Sequence, residues 1–127
     1  MNYKIIDIEG IGEVYAPKLK AEGIDTVEQL LDRCAAPAGR KQLAEKTGIS
    51  EKLILKWTNH ADLFRINGIG PQFAELLEAA GVDTVKELRH RVAGNLKNDL
   101  ESTNRRKNFV SKVPSSAELK KMSQQAR

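Results

Sequence analysis

The chain has 127 residues, 40% apolar, 30% charged and 5% aromatic, with a formal net charge of +4, which is enough for one ordinary domain or two very small ones. A lone cysteine, Cys34, excludes an internal disulfide and a cysteine-based zinc cluster, and two histidines, His60 and His90, are too few for most metallohydrolase centres, so a non-enzymatic binding protein is expected. No window approaches the ~18 apolar residues that span a bilayer, and MNYKIIDIEG lacks a basic region followed by an apolar stretch and a cleavage site; a cytoplasmic protein without membrane association is expected.

An internal repeat organises the chain. Residues 8 to 34 align without a gap on residues 66 to 92, with 13 of 27 pairs identical, which predicts a first unit over 1–62 and a second over 63–127. In chain order, Gly10-Ile11-Gly12 leaves two positions without Cβ around one apolar anchor, suited to a tight turn with positive φ and to close approach of another surface. A helix follows at once, with Tyr15, Ala16 and Leu19 on one face. Gly23 is its left-handed stop, and Ile24 is the apolar residue that packs back.

Thr26 and Gln29 form a capping box that opens the next helix, whose buried stripe is Val27, Leu30, Leu31 and Cys34. Residues 40 to 63 predict a short helix around Leu43 and Ala44, a turn at Thr47–Ser50 with Ser50 as N-cap, and a helix bearing Leu53, Ile54, Trp57, Ala61 and Phe64. Trp57 and Phe64 share one apolar stripe and are expected in the core.

The second unit repeats the plan. Gly68-Ile69-Gly70 is its turn, Pro71 suits the first helical position, Phe73, Ala74 and Leu77 face inward, and Gly81 is the stop. Thr84 with Glu87 predicts a second capping box, followed by a stripe of Val85, Leu88, Arg89 and Val92 in which Arg89 marks an exposed edge. Beyond it, Leu96, Leu100, Phe109 and Val110 lead to the turn Val113–Ser116. There Ser115 and Glu118 form another capping box, and a last helix carries Leu119, Met122 and Ala126. No segment alternates with period two, so the fold class is all-α.

Charge is unevenly spread. Residues 1–62 carry 9 basic and 10 acidic side chains, residues 63–127 carry 12 and 7, and residues 89–127 alone carry 10 and 3. A basic C-terminal third on a near-neutral body suits a polyanionic partner and equally a solvated surface.

The strings Ile8-Glu9-Gly10-Ile11-Gly12-x-x-x-Ala16-x-x-Leu19 and Ile66-Asn67-Gly68-Ile69-Gly70-Pro71-x-x-Ala74-x-x-Leu77 resemble the helix-hairpin-helix motif. The continuation GIDTVEQL followed by LAEKTGISEKLILKW is similar to the small double helix-hairpin-helix domain at the N-terminus of archaeal and eukaryotic recombinases, a SAM-like helical unit. By that likeness Gly48-Ile49-Ser50 is a degenerate second hairpin, replaced by Val113-Pro114-Ser115 in the second unit. The whole chain also resembles an uncharacterised bacterial family known only as a domain of unknown function.

The helix-hairpin-helix resemblance implies sequence-independent DNA binding, in which hairpin amides and the helix N-terminus meet a backbone phosphate. The residues it implicates are Gly10, Ile11 and Gly12 in the first unit and Gly68, Ile69 and Gly70 in the second, with Arg65 and Gln72 beside the latter. The basic run Arg105, Arg106 and Lys107 is a further candidate, with a solvated helix face as the alternative. The resemblance also implies that hairpin carbonyls can hold a monovalent cation. No other cofactor, metal or catalytic residue is indicated. Asp7, Glu9 and Glu13 surround the first hairpin and repel phosphate, which favours the second. The competing expectation is a protein-interaction or scaffold module on the same helical fold.

Overall fold

A computed structural model describes residues 3–126. The chain divides into two compact units, Met1–Asp62 and Leu63–Arg127. Every element longer than a turn is helical, and the described residues contain no strand beyond an isolated antiparallel bridge between Lys4 and Thr26. No helix is long and apolar enough to cross a membrane among the described residues.

The first unit opens with a 3-10 turn at Ile5–Asp7, followed by α1 (Gly12–Ala21), α2 (Val27–Cys34), α3 (Pro37–Thr47) and α4 (Glu51–Leu63). The end of α1 is a Schellman motif: Ile24 N–H donates to the Leu19 carbonyl at 3.0 Å and Gly23 N–H to the Lys20 carbonyl at 2.9 Å, with Gly23 at φ +81°. Ile24 is thereby folded back into a core of Ile5, Ile8, Ile11, Leu19, Val27, Leu30, Leu43, Ile54 and Trp57. The Thr26 capping box is closed both ways, with Gln29 N–H on Thr26 Oγ1 at 3.2 Å and Thr26 N–H on Gln29 Oε1 at 3.0 Å. Cys34 is buried; burial pushes its thiol above the ordinary range, partly offset by a hydrogen bond with Thr58.

The second unit contains α5 (Pro71–Ala79), α6 (Val85–His90), α7 (Ala93–Lys107) and α8 (Ser116–Gln125). The α1 stop recurs at α5, where Val82 N–H donates to the Leu77 carbonyl at 2.7 Å and Gly81 N–H to the Glu78 carbonyl at 3.0 Å. Helix α8 packs on both α6 and α7, and α7 on α5. Its core is Ile66, Ile69, Phe73, Leu76, Leu77, Val82, Leu88, Leu96, Leu100 and Leu119.

Three expectations fail in this unit. The stripe from Val85 to Val92 is broken, because α6 ends at His90, Arg91 turns extended at φ −84° and ψ 138°, and Val92 stands 66% exposed as the N-cap of α7. Arg89, expected at an exposed edge, is half-buried. Only half of the second capping box forms: Thr84 Oγ1 accepts from Glu87 N–H at 3.0 Å, while the Glu87 carboxylate is taken by Arg91 Nε at 2.8 Å. In the first unit the equivalent Arg33 pairs with Glu22 across the α1–α2 corner, and Ala80 stands in that place in the second, so Arg91 seeks Glu87 and Asp99 instead.

Candidate nucleic-acid interface

A Gly-Ile-Gly segment needs its first glycine because the turn runs left-handed there: Gly10 has φ +91° and Gly68 φ +93°. The second glycines diverge. Gly12 is left-handed at φ +54°, whereas Gly70 is extended at φ −104° and serves as the N-cap of α5. The tight turn with positive φ is thus present in both segments, carried by both glycines in the first and by Gly68 alone in the second.

Each turn is seated on the fourth helix of its own unit. A Cβ on Gly10 would lie 3.7 Å from Trp57 Nε1 of α4, and the Tyr15 ring packs on Trp57 with centroids 5.1 Å apart. A Cβ on Gly68 would lie 2.8 Å from Met122 Cε of α8, and Gln125 Oε1 of the same helix accepts the Asn67 N–H at 2.9 Å. Sequence reasoning placed Trp57 and Met122 in the core without their partners. Nothing in the chain pattern signals the bond between Asn67 and Gln125, 58 residues apart.

The isoleucines are anchors. Ile11 and Ile69 are buried, and their amides donate within the turn, to the Ile8 carbonyl at 3.3 Å and the Ile66 carbonyl at 3.1 Å. They hold the turn's shape and are not the amides that face outward. The first helical turn that follows supplies further donors. The first helical bond of α5 is Ala74 N–H to the Gly70 carbonyl at 2.9 Å, so the amides of Gln72 and Phe73 precede the ladder.

Capping alternates along the chain. Helices α2, α4, α6 and α8 receive a side-chain cap from Thr26, Ser50, Thr84 and Ser115. Helices α1, α3, α5 and α7 start from Ile11, Ala36, Gly70 and Val92 with no side-chain cap. The helices that follow Gly-Ile-Gly therefore present unsatisfied amides and the positive end of the helix dipole.

The surroundings of the two turns differ in charge. Asp7, Glu9 and Glu13 are exposed about the first. Residues 65 to 73 carry no carboxylate, Arg65 and Gln72 are exposed, and Arg65 shares a shallow recess with Gln125 and Ala126. The basic run lies elsewhere: Arg105, Arg106 and Lys107 form the last turn of α7, where cations offset the carbonyl end of the helix dipole. Arg106 and Lys107 flank Ala79, at the end of α5 remote from Gly70, roughly 12 Å along the helix from Pro71. Nearness in sequence to the second repeat does not bring this run to the hairpin.

His60 is buried on α4 and His90 is exposed, and among the described residues no three His, Cys, Asp or Glu side chains are grouped to hold a metal. Fold and turns together define an all-α protein of two small helical units, each carrying an uncapped Gly-Ile-Gly turn. The chain belongs to the family described as Domain of unknown function (DUF4332), which matches residues 9–127. No curated protein and no solved structure was found to match it.

Proposed function

We propose that both units are helix-hairpin-helix modules and that the second binds nucleic-acid backbone, DNA in the first instance, without reading base sequence. One observation carries this reading: the amides at the start of α5 are uncapped, follow a glycine turn, and stand in a stretch free of carboxylates. Such a helix start attracts a phosphate through its amides and dipole together. Contacts of this kind position a protein on nucleic acid and carry no base information.

Arg65 supplies charge beside the turn, and Gln72 projects from the first turn of α5. The run Arg105–Lys107, at the other end of α5, acts on a different stretch of backbone. Its effect is therefore additive with that of the hairpin. The first hairpin takes no part in this contact, because Asp7, Glu9 and Glu13 raise the cost of seating an anion there.

Fluorescence anisotropy with random-sequence duplex DNA tests the reading. A hairpin contact with about 2 to 4 phosphates gives a slope of log affinity against log salt of roughly −2 to −4, with little dependence on sequence. Gln72→Glu places a negative charge at the α5 start without disturbing the turn and lowers affinity about 10-fold, while Glu9→Gln with Glu13→Gln leaves it unchanged or higher. Absence of binding at about 50 mM salt overturns the reading.

A second reading is favoured by the first unit alone. Val14 is 69% exposed and Ile6 45% exposed among Asp7, Glu9 and Glu13, an apolar and acidic mixture suited to a basic protein segment. Capture of such a partner without any DNA affinity selects that role for the chain.

A further inference from the structure

The second unit has a groove of about 460 Å³ between the α6–α7 corner and α8, lined by Arg89, His90, Arg91, Lys120, Ser123 and Gln124, with Val92 and Ala93 at its end. No Asp or Glu lines it. The carboxylates on these elements are engaged elsewhere: Glu87 and Asp99 by Arg91 at 2.8 and 3.4 Å, Glu101 by Lys97 at 3.8 Å, and Glu118 by the Ser115 amide at 3.1 Å. Arg89 and Lys120 therefore face the groove with their charge uncompensated by its walls.

The first unit shows why this groove is open. There the corner after α2 is filled by α3: Arg40 Nη1 donates to the Cys34 and Ala35 carbonyls at 2.8 and 3.2 Å, and a methyl on Gly39 would land on the Arg33 carbonyl. In the second unit the Leu88 carbonyl at the end of α6 takes the Arg91 amide at 3.2 Å, and from α8 the Ser123 hydroxyl lies 3.4 Å from the Leu88 and Arg89 carbonyls. Leu31, Asp32 and Cys34 of the first unit are replaced by Arg89, His90 and Val92 in the second. The corner that one unit seals with apolar and backbone contacts is in the other left open and made basic.

We infer that this groove is a second phosphate seat, in which Arg89 and Lys120 hold the backbone of a nucleic-acid strand. The inference rests on the nucleic-acid reading above and adds a site to it. Arg89 reaches a phosphate through its planar guanidinium, Lys120 through a mobile ammonium, and no wall carboxylate competes for either. His90, exposed at the rim, supplies a further ring N–H donor.

The test compares Arg89→Glu/Lys120→Glu and the milder Arg89→Gln/Lys120→Gln with Gln72→Glu, using the full chain and random-sequence duplex DNA over a salt series, with circular dichroism as the check on folding. Removing two phosphate contacts makes the salt slope shallower by about 2 and lowers affinity about 10- to 100-fold at ~100 mM salt for the reversal pair, with a smaller loss for the neutral pair. Amide shift mapping on the unaltered chain with the same duplex reads the site without any substitution. Shifts at residues 89–95 and 120–124 support the groove. Unchanged affinity and slope in the folded double variants, or a shift map confined to residues 65–73, overturns the groove and leaves the hairpin reading standing. An unaltered chain that binds no DNA overturns both.

Discussion

The two halves of the chain share a turn and differ in what surrounds it. In the first, the turn rests on Trp57, is ringed by carboxylates, and belongs to a unit whose α2–α3 corner is closed by Gly39 and Arg40. In the second, the turn rests on Met122, lies in a stretch, residues 65 to 73, without a carboxylate, and belongs to a unit whose corresponding corner is open and basic. Repetition preserved the backbone device, and divergence outside the repeat redistributed charge and closure. The lesson is that a duplicated turn does not duplicate a binding surface, because glycines set the local path while distant helices set what the path is packed against and which charges flank it.

The supports under the two turns provide the strongest way to break this comparison. Trp57→Ala empties the space beneath Gly10 and removes the ring on which Tyr15 packs, and a loss of about 4 kcal/mol is expected in urea unfolding. Met122→Ala, beneath Gly68, removes a more flexible chain and is expected to cost about 2 kcal/mol. Equal losses from the two variants would show that the fourth helices do not differ as supports.

The closed and open corners differ by the next largest effect. Gly39→Ala drives a methyl against the Arg33 carbonyl, and because backbone cannot swing aside, destabilisation of about 3 kcal/mol is expected. Gly94, in the first turn of α7, has open space around an added Cβ and no positive φ, so Gly94→Ala is expected to stabilise by about 0.5 to 1 kcal/mol. Thermal midpoints moving in opposite directions are the check, and a shared direction would remove the distinction between the two corners.

Caps sharpen the comparison further. Thr26→Ala loses a reciprocal box and Thr84→Ala a single bond, so expected costs are about 1.5 and about 1 kcal/mol. Gln29→Ala is destabilising on its own account, while Glu87→Ala leaves the Thr84 cap in place and releases Arg91. Chemical denaturation of the four variants separates these cases.

The smallest effect is on acid stability. Hydrogen bonds from the Ser115 amide and hydroxyl hold the Glu118 carboxyl below its ordinary range, with Lys112 and Lys121 adding to the shift. A lowered folded value means that the unfolded chain takes up the proton first. The stabilisation is therefore complete above the unfolded value, near 4.5, and fades as pH falls through the folded one. Glu118→Gln is expected to flatten that acid slope slightly, and an unchanged profile of stability from neutral to acid pH would show that the box carries no charge component.

Helix class, the order of elements and most of their ends were determined by the sequence itself, because capping residues, glycine stops and apolar periodicity act over three to five neighbouring residues. Gly23 and Gly81, Thr26 and Ser115 could be assigned from local chemistry alone. The repeat also showed which turns to compare. It did not show where α6 ends, because Val92 occupies the position of buried Cys34 in the repeat, yet the chain turns extended at Arg91, which pairs with Glu87 and Asp99, and leaves Val92 exposed. Nor did it show that Arg105–Lys107 lie at the far end of α5, that Gln125 ties down the Asn67 amide, or that Arg89 and Lys120 share one groove. Those relations join residues 26 to 58 positions apart, and only the packing of α7 and α8 on the preceding helices brings their side chains within reach.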